Sequence, residues 1–134
     1  MKVNGACHCG AIAYEAQVDP ARVTVCHCAD CQSFSGAPFR ASVPARAEDL
    51  KILRGAPKVY VKTAESGNHR AQGFCGDCGA AIYSADAQGA MVYMLRLGII
   101  AEREHLPPQR QIWCEAALGW SRDLLALPKI EKQS

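Results

Sequence analysis

Eight cysteines stand in this chain of 134 residues, and seven of them fall into three clusters. Cys7-His8-Cys9-Gly10 comes first, Cys26-His27-Cys28-Ala29-Asp30-Cys31 second, and Cys75-Gly76-Asp77-Cys78-Gly79 third; Cys114 stands alone. Thiols this close together pair as disulfides, cycle as a redox couple, or bind a metal. A disulfide framework belongs to small secreted chains with a leader segment. The opening residues, Met1-Lys2-Val3-Asn4-Gly5-Ala6, carry no apolar leader. The expected compartment is therefore the cytoplasm, where thiols stay reduced. A redox Cys-X-X-Cys wants a following helix in a βαβ setting, and the residues after Cys78 read as a strand. Metal binding is the reading that remains. The spacings match no familiar ferredoxin pattern, so zinc is favoured over an iron–sulfur cluster.

Structural zinc takes a closed tetrahedral shell of nitrogen or sulfur ligands. In extended backbone, residues i and i+2 face the same way, so Cys7 and Cys9 can share an ion while His8 points elsewhere. Cys75 and Cys78 flank a tight turn that Gly79 relieves. The two pairs together complete a four-thiolate site, with Cys7, Cys9, Cys75 and Cys78 as its ligands. Such a site contributes folding free energy on the order of 10 kcal/mol.

Cys26, Cys28 and Cys31 are left over. The first two share a face, and the last two meet across a turn. Three protein ligands and one exchangeable position is the form of a catalytic zinc site. A thiol entering that position loses its proton, because zinc stabilises the thiolate. The competing expectation is that Cys114, His27, His69 or His105 closes the shell and makes this second zinc structural too. His27, between two of the ligands, is the candidate catalytic acid or base; the commoner role of such a histidine is a satisfied core or surface side chain. Arg40, Lys62, His69 and Arg70 are candidates for holding a carboxylate, although each is more often a solvated charge.

The elements that must position these residues read as strands and turns. Residues 10–18 partly alternate, residues 23–26 form a short apolar strand, and residues 29–35 suit a single helical turn. A strand over 39–43 stops at Pro44, residues 47–53 are ambiguous, and residues 58–63 alternate cleanly. Ser66-Gly67-Asn68 is a hairpin turn. Residues 80–84 leave the third cluster as a strand, 85–89 turn, 91–99 form a central apolar strand, and 111–116 form the last one. The expected fold is mainly β: one zinc-stabilised domain over residues 1–134, with small antiparallel sheets and little helix. Hydrophobic residues reach 49%, but many are alanine and only three Phe, two Trp and four Tyr are present. An ordered metal would help so light a core. The net charge is +2, from 15 basic and 13 acidic residues that are well mixed. No basic stripe marks a nucleic-acid partner. No apolar run approaches the roughly 20 residues of a membrane helix, so no membrane partner is expected.

The clusters, in this order and spacing, resemble the glutathione-dependent formaldehyde-activating enzyme family, which also includes centromere protein V. The matching stretches are Gly5-Ala-Cys-His-Cys-Gly-Ala-Ile-Ala-Tyr-Glu15, Cys26-His-Cys-Ala-Asp-Cys-Gln-Ser-Phe-Ser-Gly-Ala-Pro-Phe39 and Phe74-Cys-Gly-Asp-Cys-Gly79. Weaker echoes are Leu95-Arg-Leu-Gly98, Ile112-Trp113, Trp120, and Asp123 with Leu127-Pro128. Gln72 departs from the pattern, near a position where members often carry a basic residue. The resemblance implies a β-rich, tent-like fold, a structural zinc on Cys7, Cys9, Cys75 and Cys78, and a labile one on Cys26, Cys28 and Cys31. It also implies a carbon–sulfur lyase that joins glutathione, a small thiol, to formaldehyde as S-hydroxymethylglutathione. The alternatives are a non-enzymatic zinc module that binds a protein partner, and a redox or zinc switch in which oxidation joins Cys28 to Cys31.

Overall fold

The computed structural model describes residues 1–133. In chain order the strands are β1 (Lys2–Ala6), β2 (Ala13–Gln17), β3 (Thr24–Cys26), β4 (Arg40–Arg46), β5 (Leu50–Arg54), β6 (Lys58–Thr63), β7 (His69–Phe74), β8 (Ala81–Asp86), β9 (Val92–Arg96) and β10 (Arg110–Ile112). The helix α1 (Ala29–Ser35) lies between β3 and β4. The architecture is mainly β. A three-stranded sheet runs in the order β1-β2-β5, and a seven-stranded sheet in the order β10-β3-β4-β9-β8-β7-β6. All pairs are antiparallel except β10 with β3, which is parallel.

The seven-stranded sheet has two faces of opposite character. Residues opposite each other in a ladder share a face. Val43 opposes Leu95, and Leu95 opposes Tyr83. This apolar face packs on Val3, Tyr14 and Ala16 of the small sheet, so one cluster draws on both sheets. On the other face Cys26 opposes Arg40, Ser42 opposes Arg96, and Gln72 opposes Ser84. Ser42, Gln72, Ser84 and Arg96 are all buried, and so is Thr24 on the same side. The sheet curls around this polar face. β4 and β7 are three ladder steps apart, about 14 Å in a flat sheet. Even so, Arg40 Nη1 on β4 donates to Gln72 Oε1 on β7 at 3.0 Å.

Helix α1 lies over the polar face. Asp30 pairs with Lys62 of β6, Phe34 meets Tyr60 of β6 at 6.1 Å, and the Arg40 guanidinium stands 5.4 Å from the Phe34 ring centroid. The helix starts on the Cys28 side chain and ends on left-handed Gly36 (φ 63°). No helix among the described residues is long and apolar enough to cross a membrane.

The elements depart from expectation in several places. Strand β4 runs through Pro44 to Arg46, because β3 reaches only as far as Ser42. Beyond that point one side of β4 is an open edge, where a proline costs no ladder bond. The ambiguous stretch resolves into a 3-10 turn, Ala47–Asp49, and then β5. Residues 85 and 86 belong to β8 rather than to the turn. The last strand stops at Ile112 because Trp113 adopts a left-handed conformation (φ 56°) that no ladder accepts. Cys114 therefore sits in a 3-10 turn, Cys114–Ala116. Strand β1 was not foreseen from the sequence: its alternation spans only five residues and buries only Val3 and Gly5.

Candidate functional site

Cys7 and Cys9 reach each other by a different route from the one expected. They lie in a turn after β1, closed by the Gly10 N–H donating to the Cys7 carbonyl at 3.0 Å. Gly10 takes a left-handed φ of 81°, which spares the turn any Cβ strain. The Ile12 N–H donates to Cys7 Sγ at 3.2 Å. The second knuckle repeats this design at the β7–β8 hairpin. The Gly79 N–H donates to the Cys75 carbonyl at 2.8 Å, and Gly79 has a φ of 78°.

The two knuckles bring Cys7, Cys9, Cys75 and Cys78 together, with all four sulfurs within 4.8 Å of one another. The distances test the fit to an ion. A regular sulfur tetrahedron around zinc has edges of about 3.8 Å, since Zn–S is about 2.3 Å. Cys7 Sγ to Cys9 Sγ is 3.7 Å, and Cys9 Sγ to Cys75 Sγ is 3.8 Å. The donor set and its spacing fit a tetrahedral metal. Cys7 and Cys75 are buried, whereas Cys9 and Cys78 are exposed. The thiols are unequal in acidity. The Ala80 N–H draws Cys78 down to about 6. The Ala11 N–H favours the Cys9 thiolate, but local loss of hydration at the sulfur and the neighbouring thiols push Cys9 up to about 12.

The second group joins Cys26, Cys28 and Cys31, their sulfurs again within 4.8 Å of one another. Cys26 ends β3, and extended backbone at Cys28 (ψ 156°) brings its sulfur to the same side. Cys28 Sγ accepts from the Cys31 N–H at 3.3 Å, so the helix start fixes the sulfur's position. Cys31 is buried. Burial pushes its thiol up to about 12, against the pull of Arg40. Burial also raises Cys26. It works against the Cys28 thiolate too, but the Cys31 N–H and neighbouring thiols outweigh it and leave Cys28 lowered. No fourth His, Cys, Asp or Glu among the described residues joins this group.

The other candidates are dispersed. Cys114 is exposed and lines a cleft of about 870 Å³ together with Val25, His27, Phe39, Arg110 and Gln111. His27 is 6% exposed. Its Nε2 pairs with Gln111 Oε1 at 2.8 Å, its ring meets Phe39 edge-on at 5.7 Å, and its Nδ1 is buried without a partner. Gln32 Nε2 ties the His27 carbonyl to the Ala116 carbonyl, at 2.8 and 3.2 Å. His69 Nδ1 lies 3.3 Å from Thr63 Oγ1, Arg70 pairs with Asp86 at 2.8 Å, and His105 sits in the turn Arg103–His105.

Sequence reasoning missed Arg96. It is 6% exposed, on the polar face beside the three-cysteine group. Nη1 donates to Ser42 Oγ, and Nη2 is buried with no partner. Burial first, and Arg40 second, lower its pKa to about 9. The signal was present: an arginine in the middle of an apolar strand run is out of place unless something there needs it.

A mainly β fold with two cysteine groups, each able to hold a metal ion, defines a class of small β metal-site proteins. The chain belongs within that class to the glutathione-dependent formaldehyde-activating enzyme family, whose model matches residues 2–116. Among solved structures, the crystal structure of a Rhodobacter sphaeroides protein, a Northeast Structural Genomics target, is similar to it. The likeness covers 81% of this chain and 98% of that one, with a TM-score of 0.61 and 22% sequence identity, and it shows the fold. No curated protein matches the chain.

Proposed function

We propose that this chain is a zinc-dependent enzyme of the carbon–sulfur lyase type, acting on a glutathione-like thiol and a small aldehyde at the three-cysteine group. The observation that carries the reading is the contrast in ligand number. Four sulfurs complete one group, and three converge in the other with no further protein ligand among the described residues. Residues 1–134 act as one zinc domain in the reducing cytoplasm. Cys7, Cys9, Cys75 and Cys78 hold a structural zinc; Cys26, Cys28 and Cys31 hold the labile one. Zinc held by Cys26, Cys28 and Cys31 would supply the Lewis acidity that favours the thiolate form of an incoming thiol.

The chain's own residues supply the rest. The Cys31 N–H fixes Cys28, and the Asp30–Lys62 pair ties α1 to β6 beside the site. The thiolate sulfur gives its lone pair to the carbonyl carbon, a carbon–sulfur bond forms, and the C=O π pair moves to oxygen. That oxygen takes one proton, from water or from His27, which lies between two ligands in the chain. The reverse path removes the hydroxyl proton and breaks the carbon–sulfur bond. The Gln111 pairing orients the His27 ring.

The test is exchange NMR of glutathione and formaldehyde with the zinc-loaded protein. Faster interconversion of free and hydroxymethylated thiol is expected, and His27→Gln lowers it about a hundredfold at unchanged zinc content. Interconversion no faster than without protein removes the enzymatic reading and leaves a zinc module that binds a partner.

A further inference from the structure

We propose that Arg96, with Arg40, is the built-in counter-charge of the three-cysteine group, and that this charge fits the site to an anionic sulfur ligand. The inference rests on the reading of that group as a metal site, and it assigns Arg96 a positioning role.

Arg96 is a cation buried in a sheet face, and burying an unpaired charge is costly. Among the described residues, no carboxylate lies within ion-pair distance of it. Its hydrogen-bond partner, Ser42, is neutral. Ionisable groups on the same face of the sheet include two further arginines, Arg40 and Arg70, and Cys26 of the three-cysteine group. Arg70 has its own partner in Asp86. The remaining anion that can balance Arg96 is the cysteine group itself. Register supports this, since Cys26 opposes Arg40 and Ser42 opposes Arg96 along one face.

Charge counting gives the consequence. Three thiolates with a divalent ion carry one net negative charge, and a fourth thiolate makes two. Two guanidinium groups then bring the assembly to neutrality. A neutral fourth ligand leaves an excess positive charge. Nη2 of Arg96 is sealed from solvent, so the effect on a bound thiol acts through the field and not by contact. At the four-cysteine group Cys9 and Cys78 reach solvent, which screens their charge instead.

The experiment uses the full chain loaded with one equivalent of zinc and then titrated with cobalt(II), followed by its sulfur-to-metal charge-transfer absorption. Glutathione is added afterwards. In Arg96→Met, affinity for the second ion falls by about tenfold or more, and the glutathione-induced spectral change weakens in parallel. Arg96→Lys, which keeps the charge, stays within about threefold of the parent. The first zinc and a cooperative melt report folding in each variant. Should Arg96→Met fail to fold, Arg40→Met at the half-buried neighbour shows the same loss, smaller in size. Unchanged cobalt affinity in the folded methionine variant overturns the proposal. So does equal loss in the lysine and methionine variants, which would mean shape and not charge. Parent protein that takes up no second ion defeats the metal-site reading itself, a distinct outcome.

Discussion

The four-cysteine and three-cysteine groups use the same donor atom at the same close spacing, yet their surroundings differ in kind. The first joins two hairpin-like knuckles, each closed on a left-handed glycine, and ties the end of β1 to the β7–β8 hairpin. Half its sulfurs reach water. The second is built on one strand end and the first turn of one helix, under α1 and beside two arginines. One group links distant parts of the chain. The other is local in sequence, so closing it stabilises little of the fold. The comparison teaches that the two groups differ in ligand number and chain separation, and the proposed division into a structural and a thiol-handling site rests on those two properties rather than on residue type.

The largest effect should come from breaking the long-range group. Cys75→Ala removes a buried ligand and with it folding free energy on the order of 10 kcal/mol. The expected result is loss of a cooperative melt by circular dichroism; a folded variant with one zinc fewer would contradict the division of roles. Cys28→Ser at the local group should leave the fold intact. Its melting temperature should fall by about 5 °C or less, while the second metal and any thiol response disappear.

Smaller changes sharpen the same contrast. Gly5, two residues before Cys7, lies against the Tyr14 ring, and an added Cβ would come within 2.1 Å of Tyr14 Cζ. Tyr14 is fully buried and cannot move aside. Gly5→Ala should therefore cost about 1–3 kcal/mol in urea unfolding and loosen the four-cysteine zinc, leaving the other group's affinity unchanged. Cys114→Ser should change nothing in metal content, measured by elemental analysis, because Cys114 lies outside both groups. Loss of one ion in that variant would show that the second shell is closed.

The four-plus-three division of the cysteines was legible in the sequence because ligand spacing is a local property. The reason given for Cys7 and Cys9 was wrong in detail, since a turn and not extended backbone unites them. β6 was readable from clean alternation and α1 as a single helical turn over residues 29–35, whereas the Cys28 side chain that caps it emerged only in the structure. β4 was cut short at Pro44, because proline's effect depends on whether a neighbouring strand is present, and only the topology tells that. The role of Arg96 was hidden for a similar reason. An arginine between Leu95 and Leu97 is visibly out of place in an apolar run, but what it serves is legible only once β4 sets Ser42 opposite it and the curl of the sheet encloses it. Long-range pairing and curvature, which no local pattern encodes, created the polar face beneath the three cysteines.

The most direct measurement is zinc stoichiometry of the reduced protein under a mild chelator, with and without glutathione. Two ions per chain are expected, one held tightly and one lost readily, with the loss of the second ion changed by glutathione. Two ions of equal tenacity that ignore glutathione would contradict the distinction between a closed structural group and an open thiol-handling one.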